Sequence, residues 1–272
     1  MSRARWARDI PGTSIKSNSV RLLTLARDLR RRKAREKRGL FVAEGVRAVE
    51  ELVRSSLDIE GILIAPQVEE APRGAALVAA IRDRGLTVES VAANEFASAA
   101  ETESPQGILA LARIPASTLD EIPAAESLRL LILDAVQDPG NVGTLVRTAA
   151  ALGAAGTVAL PGTVDLWNAK VVRSAMGSHF NHIAIHATWD ELSAFRSRHG
   201  LALWGADAAG TPIPNPIPIP KRLGLVVGNE GAGLTDLVRS SCDRLVSIPM
   251  SPRAESLNVA VAAGILLHEV RA

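Results

Sequence analysis

The sequence is poor in the residues that crosslink a chain or stack on bases. Its 272 residues include one cysteine, Cys242, and no tyrosine, and aromatic residues make up 3%. A single cysteine excludes both an internal disulfide and a zinc cluster built from thiolates. The shortage of aromatic side chains argues against a stacking platform for single-stranded nucleic acid, because such platforms depend on aromatic rings.

Long apolar runs are lacking as well. The longest nearly apolar stretch, LNVAVAAGILL at residues 257–267, is shorter than the roughly 20 residues that a membrane-spanning helix needs. The basic start, MSRARWARDI, is not followed by the apolar segment of a secretory signal. With 47% hydrophobic and 22% charged residues, the chain can bury a core. We therefore expect a soluble cytoplasmic protein that does not contact a membrane.

The net charge of +2 conceals an uneven distribution. Residues 1–54 contain 15 Lys and Arg against 6 Asp and Glu, a balance of +9, and the remaining residues carry −7. The densest part is RDLRRRKAREKR at residues 27–38. This pattern predicts that the N-terminal region contacts a polyanion such as RNA, mostly through phosphate. A solvated basic helix face is the alternative.

Apolar runs that alternate with amphipathic segments predict two α/β domains. In the first half, GLFVAEG, GILIA, LTVESVA and QGILALARI read as short strands separated by helices. The stretch PASTLDEIPAAES at residues 115–127 reads as a linker. In the second half the strands are more continuously apolar, as in LRLLILD, which predicts a mostly parallel sheet covered on both faces. The proline-punctuated segment at residues 211–220 is expected to lie outside that sheet. We expect domains at about residues 1–115 and 125–272.

Three loops follow three of the predicted strands of the second half. They contain DAVQDPGNVGTLVRTA at residues 134–149, GNEGAG at residues 228–233 and IPMSPRAESLNVAVA at residues 248–262. Because ligands of open α/β sheets bind beyond the carboxyl ends of the strands, these loops can share one pocket. Taken singly, each has a structural explanation, since Asn141 or Ser256 can cap a helix and glycines serve turns. None of them has the spacing of a dinucleotide fingerprint or a P-loop.

Together and in this order, the three loops resemble the three motifs of the SpoU/TrmH family of RNA ribose 2′-O-methyltransferases, part of the SPOUT superfamily. The resemblance covers residues 130–271 and includes RSAMGSHF at residues 173–180. The N-terminal half resembles the accessory domain of that family, of ribosomal-protein L30e-like type, most recognisably in GLFVAEGVRAVEE at residues 39–51. Ala260 departs from the pattern, since many members have serine there.

The resemblance implies an α/β fold in which the C-terminal parallel-sheet domain is tied in a deep trefoil knot. It further implies that S-adenosylmethionine binds in the knot and that the active site forms at a homodimer interface. Three positions match contacts to the methyl donor: Gly228, Ile248 and Leu257. Five match the polar catalytic set: Asn141, Arg147, Glu230, Ser256 and Asn258.

These residue types suit methyl transfer to a ribose 2′-hydroxyl of a structured RNA. The residues themselves do not distinguish ribosomal from transfer RNA, and we favour ribosomal RNA as the substrate. The reaction needs an aligned nucleophile whose proton is removed as the new bond forms. A guanidinium group stays protonated in proteins, so we expect Arg147 not to act as a base but to grip the phosphate beside the hydroxyl, while a phosphate oxygen or Glu230 accepts the proton. Asn141 and Asn258 are expected to orient groups by hydrogen bonds, and Ser256 to do so for the ribose.

Two other functions remain open at this point: a non-catalytic RNA-binding or ribosome-assembly protein of the same fold, and an ordinary α/β enzyme that binds a nucleotide. His179, His182 and His186 suggest a metal site, but no acidic or thiol ligand accompanies them in sequence, and we expect none. Cys242 is the only possible thiol nucleophile for base methylation. Without a neighbouring histidine it is more simply a small buried residue.

Overall fold

The computed structural model describes residues 15–213, 218–251, 253 and 256–271, and side chains from residue 21 onward. The basic start and the middle of the proline-punctuated segment lie outside the described residues. No helix within these ranges is long and apolar enough to cross a membrane.

The first half of the chain folds around a mixed four-stranded sheet in the order β1-β4-β2-β3. β4 is antiparallel to both of its neighbours, and β2 is parallel to β3. The strands are β1 (Leu40–Glu44), β2 (Ile59–Ile64), β3 (Val88–Ser90) and β4 (Ile108–Arg113). The helices are α1 (Ile15–Leu29), α2 (Arg32–Arg38), α3 (Val46–Arg54), α4 (Gln67–Glu70), α5 (Pro72–Asp83) and α6 (Ala93–Ala99). The four strands predicted from the sequence are confirmed.

This sheet is apolar on both faces because helices cover both. Every residue of β1 and all but the last of β4 are buried. On one face Phe41 belongs to the same apolar cluster as Val49 and Leu52 of α3. On the other face Val42 of β1 packs in one cluster with residues of α1 and α6, among them Phe96. Two-sided burial explains why these strands are runs of apolar residues and not alternating patterns.

The second half folds around a six-stranded sheet in the order β10-β8-β9-β5-β6-β7, in which every neighbouring pair is parallel. The strands are β5 (Leu128–Leu133), β6 (Gly156–Ala159), β7 (Ala184–His186), β8 (Ala202–Pro212), β9 (Arg222–Val227) and β10 (Arg244–Ser247). The helices are α7 (Pro139–Ala151), α8 (Ala169–Ser174), α9 (Trp189–His199), α10 (Asp236–Ser241) and α11 (Val259–Glu269). The predicted parallel sheet is confirmed, and β5 is buried throughout. The knot stays a prediction, because the chain after β10 includes residues outside the described part.

The expectation that residues 211–220 stay outside the sheet is wrong for the first two. β8 continues to Pro212, which lies opposite Ser247 after a register shift in β10. Proline is tolerated there because β9 pairs with β8 only from Ala202 to Gly205, so no ladder bond to β9 is lost.

The two halves share a packed junction. Arg35 from the basic run is buried, and its guanidinium binds the carboxylate of Asp165 at 2.6 and 2.8 Å. Nearby, the ring centroid of Phe41 lies 4.5 Å from that of Trp167. Arg35 therefore joins the two halves through a buried ion pair and is not part of a solvated basic face. The strands of the two sheets fall within residues 40–113 and 128–247, on either side of the predicted linker, while the domain limits themselves stay a prediction.

Candidate active site

The three loops singled out in the sequence meet at one edge of the six-stranded sheet. They follow the carboxyl ends of β5, β9 and β10, and β5 and β9 are direct neighbours. The loop after β5 leads into α7, and the loop after β10 leads into α11. Parallel strands bring these ends to the same side, which is where an open α/β sheet forms its binding crevice.

Hydrogen bonds join one side chain from each loop. Nδ2 of Asn141 donates to Oε1 of Glu230 at 3.0 Å. Nδ2 of Asn258 donates to Oδ1 of Asn141 at 2.9 Å. Asn141 thus uses its donor toward one loop and its acceptor toward the other, and we call the three residues the polar network. The structure therefore brings together three of the five residues expected to form the catalytic set.

Glu230 is held as a carboxylate. Besides Asn141 it accepts hydrogen bonds from the backbone N–H groups of Asp138, at 3.0 Å, and Gln137, at 3.2 Å. Partial burial raises the pKa of Glu230, but these hydrogen bonds outweigh burial and leave the pKa below its ordinary value. At neutral pH the side chain is an ionised acceptor whose oxygens already have donors.

The start of α7 differs from the one expected. Asp138, not Asn141, is the N-cap: its Oδ1 accepts the backbone N–H of Asn141 at 2.8 Å, and Pro139 occupies the first helical position. A proline is suited to that position because its missing N–H would have no helical partner. This leaves the side chain of Asn141 free to serve the network.

Asn258 has two roles in the structure. Its Oδ1 accepts the backbone N–H groups of Ala260, at 2.9 Å, and Val261, at 3.3 Å, so it caps α11 while its amide nitrogen reaches Asn141. The structural explanation that made Ser256 the cap is therefore wrong. Ala260 is buried in the first turn of α11, where a serine stands in many members of the resembled family.

The loop after β9 is built by residues that the sequence reasoning did not single out. Asn229 and Gly233 bond each other through their backbones, at 2.8 and 2.9 Å. Nδ2 of Asn229 donates to the carbonyl of Ala135 at 2.9 Å and so ties this loop to the loop after β5. Buried Asp134 accepts the backbone N–H of Thr235 at 2.7 Å. The signal was a polar residue directly after an apolar strand, in LRLLILD and in VVGNEG.

A cleft of about 360 Å³, which we call the donor cleft, lies beside the polar network, and its size is typical of small-molecule sites. Its lining includes all three residues matched to the methyl donor, together with Glu230 and Ser256. Gly228 is required for the shape of the loop, because a Cβ there would lie 2.2 Å from the carbonyl carbon of Gly233.

The chemistry of the lining fits S-adenosylmethionine. The apolar side chains suit the adenosine and the hydrocarbon part of the methionine, and the carboxylates of Asp207 and Glu230 suit a molecule that carries a sulfonium and an ammonium. Asp207 is itself paired with Arg239 at 2.5 Å.

Arg147 does not join the polar network through any hydrogen bond described. It is exposed on α7, and six residues of helix place it about 9 Å from Asn141 along the helix axis. Its Nη1 lies 3.0 Å from the sulfur of Met176, in the segment after α8. The structure thus places the guanidinium of Arg147 on an exposed surface, nearly two turns of α7 away from Asn141.

The histidines and the cysteine lack the properties of reactive groups. Burial lowers the pKa of His179 to about 3 and that of His182 to about 4. No group of three or more His, Cys, Asp or Glu side chains that could hold a metal ion occurs among the described residues. Burial raises the pKa of the Cys242 thiol to about 11, so this thiol is a poor nucleophile at neutral pH.

Comparison with known proteins identifies both halves of the chain. The SpoU rRNA Methylase family model matches residues 129–268, and the MRM3-like substrate binding domain model matches residues 23–110. One relative is the 23S rRNA (guanosine(2553)-2′-O)-methyltransferase RlmP of Bacillus subtilis (strain 168), 34% identical over 89% of this chain and 93% of the relative. Another is the 23S rRNA (uridine(2479)-2′-O)-methyltransferase of Streptomyces viridochromogenes, 30% identical over 99% of this chain and 95% of the relative.

Solved structures agree with the sequence relatives. The SpoU methyltransferase AviRb from Streptomyces viridochromogenes, in complex with the cofactor AdoMet, has a TM-score of 0.80 at 30% identity and covers 92% of this chain and 96% of that chain. The fold, the order of the three motifs and the relatives that match over most of their length lead to one assignment. The chain belongs to the SpoU rRNA methylase family.

Proposed function

We propose that the protein transfers a methyl group from S-adenosylmethionine to a ribose 2′-hydroxyl of a structured RNA, with ribosomal RNA as the substrate class. The observation that carries this proposal is the polar network, which joins all three motifs beside a cleft that fits the methyl donor. The two named relatives modify a guanosine and a uridine. The base differs between these two relatives while the 2′-oxygen is the same, which agrees with chemistry at the sugar.

The cleft holds the donor and the chain's own residues bring the hydroxyl to it. When bound, S-adenosylmethionine supplies an electrophilic methyl group. We assign Gly228, Ile248 and Leu257 to the wall that contacts the donor. Ser256, which lines the same cleft, is assigned to the ribose. Alignment of the attacking oxygen contributes most to such an in-line displacement.

Arg147 is assigned to the RNA. A guanidinium carries donors in a planar fork that matches two oxygens of a phosphate, and it stays charged at every relevant pH. Its exposed position on α7, away from the donor cleft, leaves the fork accessible to a phosphodiester. We propose that it grips the phosphate beside the reacting hydroxyl.

Between the two proton acceptors considered from the sequence, the phosphate oxygen is favoured. Glu230 has a lowered pKa and three hydrogen bonds to its oxygens. Because these hydrogen bonds already occupy the carboxylate oxygens, Glu230 is poorly placed to receive the proton. We assign Glu230 to the orientation of Asn141.

We propose that the site is completed in a homodimer. Val261 and Ile265, one turn apart on α11, are 51% and 39% exposed, and the neighbouring Leu257 is 39% exposed. Together they form an apolar surface at the cleft, which we call the α11 stripe. A second copy is the occupant we assign, because the stripe adjoins the donor cleft and Arg147 stands apart from the network in a single chain.

We further propose that residues 1–115 form an RNA-capturing domain of L30e-like type and residues 125–272 the catalytic domain. Four cations of α2 and of the turn that precedes it are exposed and have no carboxylate partner among the described residues: Arg30, Lys33, Lys37 and Arg38. Contacts of this kind bind phosphate with little regard to sequence.

The test of the proposed function is transfer of labelled methyl from S-adenosylmethionine to a 23S rRNA transcript. The wild type is expected to incorporate label, and Arg147→Ala to lose most of that activity. The matched control, Arg82→Ala, removes an exposed arginine that is paired on the surface with Glu69 and should keep full activity. A wild type that binds the transcript and S-adenosylmethionine but transfers no label would favour the non-catalytic alternative.

A further inference from the structure

A second cleft, of about 300 Å³, lies where the two halves of the chain meet. We call it the junction cleft. From the N-terminal half it is lined by Arg47, Thr102, Ser104 and Gln106, and from the C-terminal half by Arg173 and Met176. It shares no lining residue with the donor cleft. None of the roles assigned above uses it.

The polar lining consists mostly of hydrogen-bond donors. Arg47 is exposed at the second position of α3 and forms no ion pair with any described carboxylate. Arg173 is partly buried, and its Nη1 is buried without a hydrogen-bond partner among the described residues. A buried guanidinium nitrogen without a partner is costly, which points to an acceptor that the chain itself does not supply.

One acidic residue also lines the junction cleft, but its charge is engaged. Glu44 is buried, and its carboxylate accepts the backbone N–H of Glu101 at 2.8 Å and the hydroxyl of Thr102. It forms no ion pair with Arg47 or Arg173 within the described structure. The lining therefore contains two arginines and one carboxylate, and that carboxylate is already hydrogen-bonded. The net charge of the lining is positive.

The backbone on the catalytic side of the junction cleft is held in an unusual conformation. Met176 has φ of 51°, a left-handed conformation that costs energy in a non-glycine residue. The next residue, Gly177, cannot be replaced without a shift, because a Cβ there would lie 2.5 Å from Cβ of Glu51 in α3. The close approach of the two halves thus fixes Met176 at the wall of the cleft.

Met176 also connects the junction cleft to the proposed RNA contact. Its sulfur lies 3.0 Å from Nη1 of Arg147. Arg147 in turn lies about 9 Å along α7 from Asn141 of the polar network. Through Met176, the junction cleft therefore adjoins Arg147, the residue assigned above to the phosphate.

We propose that the junction cleft binds a backbone phosphate of the RNA substrate close to the target nucleotide, with Arg47 and Arg173 as its ligands. Guanidinium forks and hydroxyl donors are the groups that proteins direct at phosphate oxygens. The cleft has no aromatic lining residue, so it holds the backbone and not a stacked base. This inference rests on the proposed function, because it takes RNA as the ligand.

The test compares salt dependence of binding to a 23S rRNA transcript for wild type, Arg47→Gln and the double variant Arg47→Gln/Arg173→Gln. Each lost phosphate contact lowers the slope of log K against log salt by about 0.7 to 0.9. The double variant should bind at least about tenfold more weakly near 0.1 M salt and lose about 1.5 units of slope. Arg47→Gln, at an exposed position that does not threaten folding, should lose about half of that slope.

The matched control is Arg113→Gln. Arg113 is exposed and lies opposite Leu40 in the register of β1 and β4, at the far end of these strands from Glu44 and the junction cleft. The Arg113→Gln variant removes the same charge and should change the salt slope by much less than Arg47→Gln. Binding of S-adenosylmethionine, measured on every variant, should stay unchanged.

Three outcomes separate this inference from the proposed function. Methyl transfer by wild type, with cleft variants that bind RNA like Arg113→Gln, overturns the cleft proposal and leaves the function intact. Cleft-dependent RNA binding without methyl transfer supports the cleft and contradicts the function. Inorganic phosphate that binds wild type but not the variants, while RNA binding stays equal, makes the cleft a free-anion site and overturns the proposal.

Discussion

Asn258 donates a hydrogen bond to Asn141 across 2.9 Å and thereby joins two residues that are 117 positions apart in the chain. The same amide of Asn258 caps α11 through its oxygen. One side chain therefore fixes both the start of the last helix and the orientation of the network's central amide. Loss of that side chain should affect stability and turnover together.

Asn258→Ala is expected to lower the free energy of unfolding by about 1 kcal/mol, the usual contribution of an N-cap. It should also lower kcat, because Oδ1 of Asn141 loses the hydrogen bond that Asn258 donates and its side chain is no longer oriented. Thermal unfolding and single-turnover kinetics measure the two effects. Ser256→Ala is the matched control, since Ser256 is exposed and does not cap the helix. It should leave stability unchanged. Equal stability of the two variants would show that the cap is dispensable.

Arg147→Lys is expected to lose most of the turnover although it keeps the charge. A lysine is a point charge and cannot donate to two phosphate oxygens in one plane. The affinity for S-adenosylmethionine should stay near that of the wild type, because Arg147 does not line the donor cleft. Near-normal turnover of the lysine variant would refute the bidentate grip.

Gly228→Ala should abolish or strongly weaken binding of the methyl donor. The added Cβ would lie within 2.2–2.4 Å of backbone atoms of Gly233 and Leu234, so the loop after β9 must move. Gly231→Ala is the matched control in the same loop, where the nearest atom to the new Cβ is Oδ1 of Asn229 at 3.8 Å. Calorimetric titration of both variants with S-adenosylmethionine provides the comparison, and equal affinities would contradict the assigned wall.

The α11 stripe can be tested by adding charge. Val261→Asp and Ile265→Asp place carboxylates on an exposed face, so the monomer should still fold, while an apolar interface would be disrupted. Sedimentation should show a dimer for wild type and a monomer for the double variant, with methyl transfer lost in the monomer. Leu237→Asp, at another exposed apolar position, on α10, is the matched control. A fully active monomeric wild type would contradict the shared site.

Much of this architecture could be predicted from local patterns, and the failures have physical causes. Apolar runs such as LRLLILD predicted strands buried on both faces, and the structure confirms them. Pro212 was wrongly excluded from the sheet because the sequence does not reveal which side of a strand lacks a partner. The three motifs predicted one pocket, and the spacing of six residues already separated Arg147 from Asn141 along a helix, but the contact of Arg147 with Met176 depends on how the segment after α8 packs. Nη1 of Arg173 is buried without a hydrogen-bond partner because of how the two halves pack, and no local sequence pattern reveals such packing.

The central claim is methylation of a ribose oxygen, and alkaline hydrolysis of the product tests it most directly. In alkali a free 2′-hydroxyl attacks the adjoining phosphate and breaks the chain, whereas a 2′-O-methyl group prevents this. A 23S rRNA transcript treated with the protein and labelled S-adenosylmethionine should therefore yield one alkali-resistant linkage that carries the label at a defined position. Label recovered on a free base, at a nucleotide whose linkage alkali still cleaves, would contradict ribose methylation even though a methyl group had been transferred.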